Sequence, residues 1–160
     1  VGSYSAASKI LNKKKFKNFL NEKNGKANIF GICLGMQIFS SEGEEFGISE
    51  GLNFIPGKTV KIQDNKSSLI LPFVGYKTVK FKENKKLNFL NEFSEEKFYF
   101  VHSYIFKPDH DKHVLSTTNN QGIEYCSSVI YDRFIGTQFH PEKSGEIVLN
   151  FLKKMINNLA

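Results

Sequence analysis

The residues best suited to covalent chemistry lie in two segments far apart in the chain, Gly31-Ile32-Cys33-Leu34-Gly35 and His140-Pro141-Glu142. A cysteine flanked by glycines, where a β-prone run gives way to a helical one, has the form of a nucleophile elbow. Such a turn forces strained backbone angles on the nucleophile, so its neighbours must be small. The thiol would sit at a helix N-terminus, whose partial positive charge lowers its pKa and favours thiolate. The amide of Leu34 would point to where an oxyanion forms. Taken alone, the pentapeptide also fits a core cysteine packed between glycines.

The second segment supplies what a cysteine nucleophile needs. On an extended step stiffened by Pro141, His140 and Glu142 can face the same side. Glu142 would then orient an imidazole that activates Cys33, which is the logic of a catalytic triad. An isolated His-x-Glu also fits a capping or surface pair. The order, elbow first and His-Pro-Glu later, is more specific than either piece. His110 and His113, with Asp109 and Asp111, lie in a charged loop without metal-ligand spacing, so no metal and no cofactor are expected. Cys126 is expected to pack in the core. Two cysteines are too few for a disulfide framework and point to the cytoplasm.

The elements needed to position these groups are legible in outline. Ala7, Ile10, Leu11, Phe19 and Leu20 form a helical stripe capped by Ser3 or Ser5 and ending near Asn24-Gly25. Ala27 to Ile32 reads as a buried strand running into the elbow and a helix with Met36, Ile38 and Phe39 among its apolar positions. Strand, tight turn and helix begin a doubly wound α/β unit. Thr59 to Ile62 and Lys77 to Lys82 alternate as half-exposed strands around a turn at Asp64-Asn65-Lys66. Lys86 to Phe93 reads as a short helix and Phe98 to Phe106 as a strand bounded by Pro108. Val114 to Thr118 and Ile123 to Tyr131 form a hairpin about Asn119-Asn120-Gln121-Gly122. Phe134 to Phe139 delivers His140. A last helix runs from a Ser144 cap with Val148, Phe151, Leu152, Met155, Ile156 and Leu159 on one face.

Bulk properties narrow the class. The chain has 160 residues, 40% hydrophobic and 24% charged, enough for a single domain spanning 1–160. Sixteen Phe against no Trp reads as a habit of composition. No apolar run approaches a membrane span. The net charge of +6 comes from scattered lysines on solvent faces, so neither nucleic acid nor membrane is an expected partner. Part of that charge is reserved for an acidic partner or a phosphorylated substrate.

Gly31-Ile32-Cys33-Leu34-Gly35-Met36-Gln37 and Gly136-Thr137-Gln138-Phe139-His140-Pro141-Glu142-Lys143-Ser144 resemble class I, triad-type glutamine amidotransferases. More narrowly, with Gly51-Leu52, Ile55-Pro56-Gly57-Lys58 and Phe100-Val101-His102-Ser103-Tyr104, the chain is similar to the glutaminase subunit of imidazole glycerol phosphate synthase. The resemblance implies an open, mostly parallel, flavodoxin-like sheet with flanking helices and an antiparallel extension. It implies that Cys33, His140 and Glu142 form the triad. Gly2 and Leu34 would receive the oxyanion, and Gly35, Gln37, His102, Ser103 and Tyr104 would frame glutamine. His102 is expected to have no proton-transfer role.

The resemblance further implies a (β/α)8-barrel cyclase or synthase subunit that receives ammonia, met through Tyr76 and Lys143. Family members begin with a Met, a first strand, a helix and a Pro-Gly-Val-Gly strand. Val1-Gly2 look like the end of that segment, so the chain is expected to be N-terminally incomplete by about one quarter of a domain. Phe73-Val74-Gly75-Tyr76-Lys77 departs from the family's His-Met-Gly-Trp-Asn and leaves the acceptor open. The alternatives are a paralogue supplying ammonia for amidation of a bacterial surface or flagellar sugar, a stand-alone Cys-His-Glu γ-glutamyl hydrolase, and a non-catalytic binding module.

Overall fold

Ser3 opens the first helix, α1 (Tyr4–Lys13), its Oγ accepting the Ala6 N–H at 3.3 Å. The computed structural model describes residues 2–13, 16, 18, 27–63 and 70–159. The expected stripe positions Phe19 and Leu20, the helix end at Asn24-Gly25 and the turn at Asp64-Asn65-Lys66 lie outside them. Of the expected stripe, Ala7 and Leu11 pack against the core, but Ile10 does not. Tyr4 and Ser8 are buried and Ile10 is 54% exposed. Tyr4 Oη meets Ser40 Oγ at 2.8 Å and Ser8 Oγ donates to the Glu50 carbonyl, so polar anchors set the roll of the helix.

After α1 come β1 (Ile29–Ile32), the one-turn helix α2 (Leu34–Gln37), β2 (Glu42–Gly43), β3 (Ser49–Glu50) and β4 (Gly57–Lys61). Next are β5 (Phe73–Thr78), β6 (Lys80–Phe81), a 3-10 helix at Asn88–Phe93, β7 (Lys97–His102) and β8 (Tyr104–Pro108). A 3-10 turn at Asp111–His113 leads to β9 (Val114–Asn120), β10 (Ile123–Tyr131) and β11 (Phe134–Thr137). A further 3-10 turn, Pro141–Lys143, precedes α3 (Glu146–Leu159).

A mixed sheet in the order β1-β11-β10-β9-β6 bears the segments that lead to Cys33 and His140. β1 and β11 are parallel, with Ile32 opposite Thr137, and the remaining pairs of this sheet are antiparallel. A second sheet runs β3-β2-β4-β8, and β5 pairs with β7. The hairpin between β9 and β10 turns on Gln121 and Gly122, both at positive φ as a two-residue primed turn requires. Two apolar runs are each divided between sheets. Val79, 1% exposed, separates β5 from β6, and Ser103, whose carbonyl accepts the Ile62 N–H, separates β7 from β8.

The phenylalanines are the core. Phe81, Phe93, Phe98 and Phe139 all meet Phe151 of α3, with ring centroids 5.5 to 5.8 Å apart. A second cluster joins Tyr4, Met36, Phe39, Phe54, Phe106 and Phe134 on the α1 and α2 side. Val148, Phe151 and Met155 form the buried stripe of α3, whereas Ile156 is 58% exposed and Leu152 half-buried. Ser144 does not cap that helix. Its Oγ accepts the Tyr99 N–H at 2.8 Å and donates to the His140 carbonyl at 2.6 Å, clamping β7 to the segment that follows β11. Among the described residues, no helix is long and apolar enough to cross a membrane.

Candidate active site

Cys33 follows β1 with φ 52 and ψ −107, a backbone conformation that L-residues rarely adopt. The turn needs a bare residue at Gly31 and at Gly136 on the neighbouring strand, whereas Gly35 has open space around it. A Cβ on Gly31 would lie 2.5 Å from the Gly35 carbonyl oxygen, and one on Gly136 would lie 2.7 Å from Met36. The Cys33 N–H donates to the Thr137 carbonyl at 2.7 Å, fastening the elbow to β11. Parallel register then brings the residues beyond Ile32 and those beyond Thr137 to one carboxyl edge of the sheet. Chain segments distant in sequence meet there.

His140 is 7% exposed, and its Nδ1 lies 2.7 Å from Glu142 Oε1. The expected extended step is replaced by a 3-10 turn from Pro141 to Lys143, closed by the Lys143 N–H on the His140 carbonyl. Pro141 starts such a turn readily because its φ is preset and no N–H is needed there. With Nδ1 held by a carboxylate, the proton-accepting position is Nε2. Among the described residues it is buried without a partner.

A cavity of about 190 Å³ lies over the sulfur. Gly2, Leu34, Gln37, His102, Ser103 and Tyr104, the expected framing residues, all line it with Cys33. Gly35 does not line it. Glu45 also lines it, with Oε2 accepting the Tyr4 N–H at 2.6 Å; it is the cavity's one carboxylate among the described residues.

The thiol differs from the sequence expectation. Burial pushes its pKa up, and the negative charge of Glu142 adds to that. The Leu34 amide and the Gln138 side chain oppose the rise as donors to sulfur but do not reverse it. A helix of one turn carries too few aligned peptides to offset the desolvation.

His102 is a satisfied core histidine. Its Nδ1–H donates to the Tyr104 carbonyl and its Nε2 accepts from Tyr125 Oη, each at 3.0 Å. Burial pushes its pKa down to about 4. Above pH ~6.5 the ring is neutral in both folded and unfolded chains. As pH falls through ~6.5 the unfolded chain takes up a proton that the folded one refuses until about pH 4, so stability is lost across that window. Urea unfolding should show a loss of roughly 3 kcal/mol between pH 7 and pH 4 attributable to this ring. His102→Gln should flatten that part of the profile; an equally steep profile in the variant would contradict the assignment.

His113 is not a loop residue in solvent. It is 3% exposed, with its ring 4.5 Å from that of Tyr131, and it borders a separate hollow with Lys86 and Lys112. Cys126 is buried and its thiol donates to the Ser128 carbonyl at 3.3 Å, a packing role. Tyr76, 54% exposed, donates from Oη to the Lys143 carbonyl at 3.3 Å, so the two expected interface residues adjoin. Sequence reasoning passed over Glu45, Tyr125 and Gln138. Gln138 had a visible signal, since it stands two residues before His140 in a segment the sequence reads as a strand, a spacing that would put both on one side.

Comparison with known proteins bears on this geometry. The family model described as glutamine amidotransferase class-I matches residues 2–154. The chain is 38% identical over 154 residues to the imidazole glycerol phosphate synthase subunit HisH of Chlorobaculum tepidum, covering 96% of this chain and 75% of that protein. It is 40% identical to the protein of the same name from Buchnera aphidicola, covering 98% of this chain and 76% of the relative. For the one from Sulfolobus acidocaldarius the figures are 40%, 95% and 73%. Among solved structures, a glutamine amidotransferase superposes with a TM-score of 0.63 at 13% identity, covering 96% of this chain and 75% of the other. That likeness is one of fold.

Proposed function

The chain belongs to the class I glutamine amidotransferase family, and from that premise we propose that it is the glutaminase subunit of an imidazole glycerol phosphate synthase. In this reading it hydrolyses glutamine and passes ammonia to a cyclase subunit in histidine biosynthesis. The observation that carries it is Cys33 at a strained elbow beneath a cavity, with a His140–Glu142 pair delivered to the same sheet edge. The names and 38–40% identities of the relatives support the choice of acceptor.

The proposed chemistry follows from the groups present. His140 Nε2 takes the thiol proton, and the sulfur attacks the carboxamide carbon of glutamine. The raised thiol pKa means that His140 must remove the proton, since little free thiolate stands ready at neutral pH. The oxyanion is received by the amides of Leu34 and Gly2. The imidazolium, stabilised by Glu142, protonates the departing nitrogen, and ammonia leaves a γ-glutamyl thioester. His140 then deprotonates water, which attacks the thioester and releases glutamate with the thiol restored. Glu45 is the carboxylate placed to meet the substrate's ammonium, while Gln37, His102, Ser103 and Tyr104 wall the cavity.

Free ammonia protonates in water, so a docked acceptor is part of the proposal, a (β/α)8-barrel subunit meeting the surface that bears Tyr76 and Lys143. Tyr76 packs on Tyr99 at 5.3 Å and Tyr99 on His140 at 6.3 Å, so that surface adjoins the triad. Two free cysteines suit a reducing cytoplasm. The full-length protein should release glutamate from glutamine, and faster with its cyclase subunit and that subunit's substrate present. Glutamate at the level of a protein-free blank, with both subunits shown to be folded, would overturn the proposal.

A further inference from the structure

We infer that Gln138 is a positioning residue for the nucleophile: its side-chain amide donates to the Cys33 sulfur, and a hydrogen-bond chain ending at Tyr125 locks it in that orientation. The inference rests on the glutaminase reading only for its kinetic consequence.

Gln138 is fully buried, and its Nε2 lies 3.5 Å from Cys33 Sγ. Which end of the amide faces the sulfur follows from the groups behind it. Tyr104 presents a backbone carbonyl that can only accept, and it takes one bond from His102 Nδ1–H and one from Gln37 Nε2, the latter at 2.8 Å. Gln37 is thereby oriented with its amino group inward. Its second N–H donates to Gln138 Oε1 at 3.0 Å. With Oε1 engaged as an acceptor, the amide of Gln138 must turn its N–H groups toward Cys33. At the far end, Tyr125 Oη donates to His102 Nε2, which leaves Nδ1 as the protonated nitrogen. Each link leaves the next one orientation.

The backbone reinforces the arrangement. The Gln138 N–H donates to the Ser127 carbonyl at 2.8 Å, and its neighbour Thr137 accepts the Cys33 N–H. Thr137 at the end of β11 and Gln138 just after it thus grip the elbow by its backbone and its sulfur at successive residues. The site otherwise opposes negative charge on that sulfur through burial and through Glu142. A neutral, fixed donor beside the Leu34 amide is what a buried thiolate needs as the proton leaves, and it adds no charge that would compete for His140.

The test is the pH dependence of Cys33 alkylation by iodoacetamide in the full-length protein, read by mass at the Cys33 peptide. Gln138→Glu retains an acceptor for Gln37 and replaces the donor to sulfur with an acceptor. Gln138→Met removes both polar ends at similar length. Gln138→Glu should raise the alkylation midpoint by more than about one pH unit and Gln138→Met by about one. In Gln138→Met, kcat for glutamate release should fall about tenfold. Should Gln138→Glu fail to fold, Gln138→Met carries the test. Midpoints matching the unsubstituted protein would overturn the inference while leaving glutamine hydrolysis in place. Shifted midpoints in a protein that releases no glutamate would support Gln138 and remove the glutaminase reading.

Discussion

Cys33→Ala should reduce glutamate release by at least on the order of 10³-fold, with binding of the cyclase subunit retained. The size follows from the chemistry, since without sulfur no thioester forms and water must attack the carboxamide directly. A coupled assay for glutamate, with the variant's purity checked by mass, is sufficient. Turnover within tenfold of the unsubstituted protein would remove Cys33 from the role of nucleophile. A companion substitution separates chemistry from backbone. Cys33 holds φ 52 and ψ −107, angles that disfavour any side chain, so alanine keeps the strain and glycine releases it. Relief of roughly 1–3 kcal/mol exceeds the roughly 0.5–1 kcal/mol that glycine loses in chain entropy. Cys33→Gly should therefore melt above Cys33→Ala while being equally inactive. An elbow strained to present its nucleophile predicts that order.

What the sequence disclosed and what it hid divide along a physical line. The elbow was legible from its glycines, and Gly31 does face backbone within 3 Å of any added Cβ, although Gly35, expected to be small for the same reason, has nothing within 4 Å. The pairing of His140 with Glu142 was legible because proximity along the chain allows it, though as a 3-10 turn rather than an extended step. The thiol's direction of shift was misjudged because burial depends on the whole fold. The helix that was to lower it is one turn long, and 93% of the cysteine's surface is covered. Helix faces were misjudged at Ile10 and Ile156 for a related reason. Periodicity ranks residues by apolarity, whereas Tyr4 and Ser8 are buried with polar partners that include Ser40 and Glu50. Ser144 reads locally as a cap and instead bonds Tyr99, forty-five residues away. Glu45 escaped notice because its significance lies in what it faces.

Gly31→Ala should be the most damaging single-methyl change near the site. The new Cβ would stand 2.5 Å from the Gly35 oxygen, 2.6 Å from its carbonyl carbon and 2.8 Å from the Met36 nitrogen. All three are backbone atoms, so no rotamer change relieves the contact, and the strand-to-helix turn must open instead. Overpacking of this kind costs about 1–3 kcal/mol where side chains can yield, and the upper end applies where they cannot. The elbow also sets the direction of the sulfur, and a displacement of about 1 Å can reduce rate on the order of 10²-fold. The variant should thus lose both unfolding free energy and glutaminase activity, the second by more than its folded fraction explains. Gly35→Ala is the control for stability, because its Cβ would meet nothing within 4 Å and the residue lies in a helix, where alanine is favoured. Urea midpoints should therefore fall for Gly31→Ala and hold or rise for Gly35→Ala. Equal midpoints for the two would mean that the close approach of Gly31 to Gly35, and with it the turn that aims Cys33, is not as described.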